Sequence, residues 1–142
     1  MIKEYVSNST EDTEKIASDF AKELSKNDYV AMYGDLGVGK TAFVRGIAKG
    51  LNSQSTVKSP TYTIVNEYLC DTGKIYHFDL YRINDDDDLY SCGFYDYLGK
   101  GICISEWSEN IEWAIPGDAY QISIEKCDDE NKRIIKIRKD LK

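Results

Sequence analysis

Residues Gly34-Asp-Leu-Gly-Val-Gly39-Lys40-Thr41 match the pattern GxxxxGK[ST] at each of its fixed positions, and nothing else in the chain constrains the fold as tightly. The residue types follow from the chemistry. Gly34, Gly37 and Gly39 let the backbone turn sharply and aim successive N–H groups inward, which makes an anion nest at the start of a helix. Lys40 adds a cation for the outer phosphates, and Thr41 adds a hydroxyl for a divalent ion. Such a loop needs a buried strand before it and a helix after it. The apolar run Tyr29 to Tyr33 supplies the strand, and Phe43, Ile47, Ala48 and Leu51 recur at helical spacing over Thr41 to Leu51. The loop residues Gly34, Asp35, Leu36, Gly37, Val38 and Gly39, with Lys40, Thr41 and Ala42, are therefore the expected nucleotide-binding set.

The rest of the chain falls into strands and helices around this unit. Ser9, with Asp12 three residues on, reads as a helix cap, and Ile16, Ala17, Phe20, Ala21 and Leu24 continue at helical spacing. Thr63 to Leu69 and Lys74 to Leu80 read as strands joined by a turn at 70–73. The acidic run Asp85 to Asp88 precedes Leu89, Tyr90, Phe94 and Leu98 and reads as the first turn of a helix. Ile102 to Ser105 is a short buried strand that delivers Glu106 and Trp107 to its end, followed by a short helical stretch before Pro116. Tyr120 to Lys126 and Arg133 to Lys139 alternate polar and apolar residues, the pattern of a terminal antiparallel hairpin. The expected fold is α/β: a P-loop nucleotide-binding domain with a mixed, mainly parallel central sheet, flanking helices and a C-terminal antiparallel hairpin. With 142 residues and no repeat or linker, residues 1–142 are expected to form a single domain.

Charge narrows the partners. The formal net charge is −7 and the isoelectric point about 4.7, which opposes direct grip on nucleic acid. No apolar run approaches the roughly 18 residues needed to span a bilayer, so no membrane partner and a cytoplasmic location are expected. Cys70, Cys92, Cys103 and Cys127 form no CxxC pair and read as reduced, small hydrophobes.

Among P-loop proteins, a GTPase would carry NKxD, and Asn131-Lys-Arg-Ile134 lacks the aspartate. A small-molecule kinase would carry an arginine-rich lid, but the arginines are scattered at 45, 82, 133 and 138. Two acids stand at strand ends, Asp79 and Glu106, and either suits a metal or the attacking water. Ser59-Pro60 forces an extended backbone and brings the Thr61 and Thr63 hydroxyls towards a γ-phosphate. His77, the one histidine, reads as a structural strand residue rather than a general base.

Beyond the P-loop, the segments Ser59-Pro-Thr-Tyr-Thr-Ile-Val-Asn-Glu-Tyr68, His77-Phe-Asp-Leu-Tyr-Arg82 and Ile104-Ser-Glu-Trp107 closely resemble the TsaE family, also called YjeE, in order and spacing. The resemblance covers about residues 9–126. It implies a bacterial ATPase that uses ATP and Mg²⁺ and supports threonylcarbamoyl modification of adenosine 37 in tRNAs reading ANN codons. The implied partners are TsaD and TsaB, which transfer the group that TsaC activates, so that tRNA is met only through the complex. Carried over residue by residue, Lys40, Asp79 and the switch-loop Thr61 are catalytic, Thr41 and Glu106 hold the metal, and Trp107 lies beside the nucleotide. Two alternatives from other classes are a small-molecule P-loop kinase and a nucleotide-dependent binding module without hydrolysis.

Overall fold

A computed structural model describes residues 2–34, 39–57 and 64–139. Among the described residues seven strands form one sheet: β1 (Ile2–Ser7), β2 (Tyr29–Tyr33), β3 (Val65–Cys70), β4 (Gly73–Asp79), β5 (Ile102–Glu106), β6 (Tyr120–Lys126) and β7 (Arg133–Lys139). Their order across the sheet is β1-β7-β6-β2-β5-β4-β3. The central pairings β6–β2, β2–β5 and β5–β4 are parallel, and the outer ones are antiparallel. This is the mixed α/β sheet expected, with the β6–β7 hairpin at the predicted residues.

Strand periodicity divides the core between two faces. Val30, Met32, Ile102 and Ile104 point to one side and pack with α1 (Thr10–Ala21) and α2 (Lys40–Gly50). Tyr29, Ala31, Cys103 and Phe78 point to the other. That second face is covered by α3 (Asp86–Ser91), α4 (Phe94–Tyr97) and a 3₁₀ segment at Ser108–Ala114. Each central strand is buried on both sides, which is why β2 and β5 are apolar without interruption up to their last residues.

The first helix starts where its cap dictates. Ser9 is extended, and its side chain accepts from Asp12 N–H at 3.0 Å, while the Asp12 carboxylate accepts from Asn8 N–H at 3.0 Å. Asp85 does the same for α3, accepting from Asp88 N–H at 2.9 Å, so the acidic run is a helix start as expected.

Several boundaries differ from the sequence reading, β3 for example running Val65–Cys70 and the helix after the acidic run being split into α3 and α4. α1 ends at Ala21, yet Leu24 remains buried against it. β4 ends at Asp79, and the Leu80 N–H donates to the Glu106 carbonyl at 3.2 Å, the last rung of its parallel pairing with β5. Ile2 to Ser7, to which the sequence reading assigned no element, form the edge strand β1, paired antiparallel to β7.

Helices α1 and α2 approach each other closely. A Cβ at Gly46 would lie 2.3 Å from the Glu14 carbonyl oxygen and 2.6 Å from Ala17 Cβ, and one at Gly50 would lie 2.5 Å from the Ser18 carbonyl oxygen. Two glycines one turn apart thus let α2 sit directly on α1. Glu14 fastens the contact from above, 2.5 Å from Lys49 Nζ and 3.3 Å from Arg45 Nη1. This fixes the angle at which the P-loop helix leaves the sheet. Among the described residues no helix is long and apolar enough to cross a membrane.

Candidate nucleotide site

The carboxyl ends of β2, β4 and β5 converge on one edge of the parallel centre, where open α/β sheets place their ligand crevice. β2 leads through Gly34 to α2. Gly39 precedes that helix with φ +107°, in the left-handed region that glycine tolerates, and its carbonyl accepts from Phe43 N–H at 3.0 Å. Lys40, on the first turn, is buried although charged. Its ammonium donates to the Gly34 carbonyl at 2.8 Å and lies 3.9 Å from the centre of the Trp107 ring. The cation is therefore held over the loop mouth by a carbonyl and an aromatic face. Thr41 follows on the same turn, half-buried.

The two acids are register partners: Asp79 at the end of β4 stands opposite Glu106 at the end of β5. Period-two alternation from Ile75 and Ile102 puts His77, Asp79 and Glu106 on the face that carries α2. Glu106 is buried and accepts a hydrogen bond through Oε2 from His77 Nε2. His77 is fully buried, and its Nδ1 pairs with the Tyr68 hydroxyl at 3.0 Å. A chain Tyr68–His77–Glu106 therefore runs across three strands and leaves Oε1 as the oxygen to present to a ligand. Asp79 is half-buried, accepts from Tyr81 N–H at 3.1 Å, and has its carboxyl raised above the usual carboxylate range by burial and by the neighbouring Glu106 charge.

Trp107 takes a left-handed conformation, φ +61°, uncommon for a residue with a Cβ. The turn is pinned from below, where Ser108 Oγ donates to the Ser105 carbonyl at 2.9 Å and pairs with Ser105 Oγ at 2.7 Å. This twist swings the indole back over Lys40 and against the Tyr81 ring, 4.9 Å between centres.

A cavity of about 140 Å³ is lined by Ser9, Thr10, Thr13, Gly39, Ala42, Asn131 and Arg133. The start of α1 therefore walls the space beside Gly39 and Ala42. The hairpin residues Asn131 and Arg133 complete it, a contribution with no local sequence signal because it comes from a turn some 90 residues away in the chain.

Of the sequence candidates, Gly34, Gly39, Lys40, Thr41, Ala42, Asp79, Glu106 and Trp107 lie around this one edge. Asp35, Leu36, Gly37, Val38 and Thr61 fall outside the described residues. His77 and Tyr68 were missed as site residues, since the hydrogen bond that recruits them joins strands distant in sequence. The donor set suits Mg²⁺. One buried carboxylate and one hydroxyl beside a phosphate loop match an ion that keeps most of its shell as water and phosphate oxygen. Among the described residues no three His, Cys, Asp or Glu side chains gather into an all-protein metal cage.

Comparison with known proteins decides the kinship. The family model described as "Threonylcarbamoyl adenosine biosynthesis protein TsaE" matches residues 7–135. The chain belongs to the TsaE family. A TsaE relative from Aquifex aeolicus, named tRNA threonylcarbamoyladenosine biosynthesis protein TsaE, is 42% identical over 139 residues, covering 96% of each chain. The TsaE protein of Bacillus subtilis is 38% identical over 125 residues, covering 87% of this chain and 78% of that one. Among solved structures, the crystal structure of YdiB from Bacillus subtilis superposes with a TM-score of 0.77 at 31% identity, over 96% of this chain and 84% of YdiB. The likeness to YdiB thus extends over nearly the whole chain.

Proposed function

We propose that this TsaE protein is a Mg²⁺-dependent ATPase that acts in the cytoplasm with the TsaD–TsaB complex to sustain threonylcarbamoyl modification of adenosine 37 in tRNAs reading ANN codons. Membership of the TsaE family supports the pathway, and one observation carries the chemistry: Lys40 and Glu106 are both buried at the mouth of a P-loop, each held by a defined partner. Charged side chains are seldom buried without a task or a counterpart.

The backbone from Gly34 to Gly39 cradles the phosphates, and Lys40 leaves the Gly34 carbonyl to bind the outer ones. Thr41 and Glu106 hold the ion, whose charge offsets that developing on the transferred phosphoryl group. Asp79, beside Glu106 and with a raised affinity for protons, orients the attacking water and accepts its proton. Thr61 senses the γ-phosphate. Catalysis is thereby mostly positioning and charge stabilisation. Hydrolysis by the isolated chain is slow in this reading, and a partner completes the site. The acidic net charge keeps tRNA contact indirect, through the complex.

Reconstitution of the modification with cognate TsaB, TsaC and TsaD, with and without this chain, tests the reading. The expected result is a single round of modification when the chain is omitted and many rounds when it is present. Equal turnover in both reactions would overturn it.

A further inference from the structure

The charge of this protein is not spread evenly. Residues 81–114 contain eight Asp and Glu against two Lys and Arg, a net of −6 out of −7 for the whole chain. Seven of those eight acids are exposed, Glu106 being the exception. The same stretch holds four large aromatic side chains turned to solvent: Tyr81, Tyr90, Tyr95 and Trp113, with Tyr90 74% and Trp113 53% exposed.

Two of these rings, Tyr95 and Trp113, are fixed at a single carboxylate. Asp86 Oδ1 accepts from the Tyr95 hydroxyl at 2.6 Å and from Trp113 Nε1 at 2.9 Å, tying α3, α4 and the 3₁₀ segment together at one carboxylate. Asn110 Nδ2 donates to the carbonyls of Leu80 and Tyr81, at 3.0 and 3.3 Å, and so brings the Tyr81 backbone against the same segment. A solvated helix cap needs no fixed aromatic rings. Rings already held in place, ringed by charge of one sign, are what a protein interface uses for anchors at low entropic cost.

We propose that the face formed by α3, α4 and the 3₁₀ segment is a docking surface for a protein that presents Lys and Arg side chains. Cations from the partner stack on Tyr90 and Trp113 and pair with the surrounding carboxylates. Nucleic acid is the wrong occupant, because its phosphates would meet a field of their own sign. The face also has a direct route to the nucleotide: the Tyr81 ring touches Trp107, and Trp107 covers Lys40. A partner seated on Tyr81 therefore bears on the cation that must reach the phosphates. This assignment rests on the proposed function, in which the chain works inside a complex.

Binding of the cognate TsaD–TsaB complex to the immobilised full chain tests the surface, using two independent double variants, Tyr90→Ala with Trp113→Ala and Asp87→Lys with Glu109→Lys. Glu4→Lys on the opposite edge of the sheet is the control. Each face variant is expected to weaken binding by about tenfold or more, and added salt to weaken the native interaction. The control is expected to bind as the native chain, and a fluorescent ATP analogue to bind all forms equally. The charge-reversal pair alters exposed side chains alone, so it remains decisive even if the aromatic pair unfolds. Native-level binding by that pair would overturn the docking face and leave the proposed function standing. Failure of the native chain to bind the complex would overturn the partnership and the face with it. Binding of tRNA that both face variants abolish would also overturn the proposal.

Discussion

At the scale of single residues, the site is a set of charges placed where water is scarce, and each is held by a neighbour. Replacing Lys40 with Ala removes the cation over the loop and is expected to abolish ATP binding in a fluorescence titration. Asp79→Asn separates binding from turnover. The Asp79 carboxyl is destabilised by burial and by Glu106, while an amide carbonyl can still accept from Tyr81 N–H. The variant is therefore expected to bind ATP, to lose phosphate release, and to melt at a higher temperature than the native chain. His77→Ala should loosen Glu106 without touching the nucleotide; the expected result is an increase of about ten- to a hundredfold in the Mg²⁺ concentration for half-maximal hydrolysis. The acids at 79 and 106 were legible from sequence because a strand end beside a P-loop is a local pattern. The Tyr68–His77–Glu106 chain was not, since cross-strand register is set by the whole sheet.

Among the elements, the contact of α1 with α2 carries the placement of the P-loop. Gly46→Ala puts a methyl into the Glu14 backbone and Ala17, both fixed within a helix, so the helices must move apart. Chemical denaturation is expected to report a loss of about 2 kcal/mol or more, with weaker ATP binding as α2 shifts. The spacing of Gly46 and Gly50 is visible in the sequence, yet it carries no marker of its purpose. Nothing local distinguishes a glycine needed for backbone freedom from one needed for space.

The ion cluster above that contact gives a pH signature. The Lys49 ammonium, then Arg45, hold the Glu14 carboxyl below its ordinary value of 4.5. A lowered acid contributes stability above its unfolded value and loses it as pH falls through the folded one. Stability is thus expected to decline below about pH 4.5 in the native chain, and a Glu14→Gln variant to show a shallower acid limb in thermal melts.

For the molecule as a whole, what could be read in advance was whatever repeats with a short period. Strand Tyr29–Tyr33 came out at its predicted residues because a short apolar run before a glycine-rich turn is a local signal, and the hairpin 120–139 because two-residue alternation and turn chemistry are written within a few positions. β1 was not foreseen. Its residues carry no alternation strong enough to mark a strand, and its pairing is a property of β7, more than 120 residues later. The concentration of acid was equally plain in the sequence as a run at 85–88. Its joining to Glu109, Glu112 and four exposed rings required the fold to bring the 3₁₀ segment beside α3.

The sheet order has a consequence for how the chain comes off the ribosome. β7 lies between β1 and β6, so the earliest strand to be synthesised has no seat until the latest has emerged. Until then the β6 edge stands open, and the segment holding Ile2 and Val6 trails beside a partly built domain. The P-loop half, β2 with α2 and the strands up to β5, has no such dependence and can assemble during translation. Folding thus ends with a zipper closing at the far edge from the nucleotide, and a nascent chain released short of residue 133 would keep its phosphate loop and expose two unpaired strands to its neighbours.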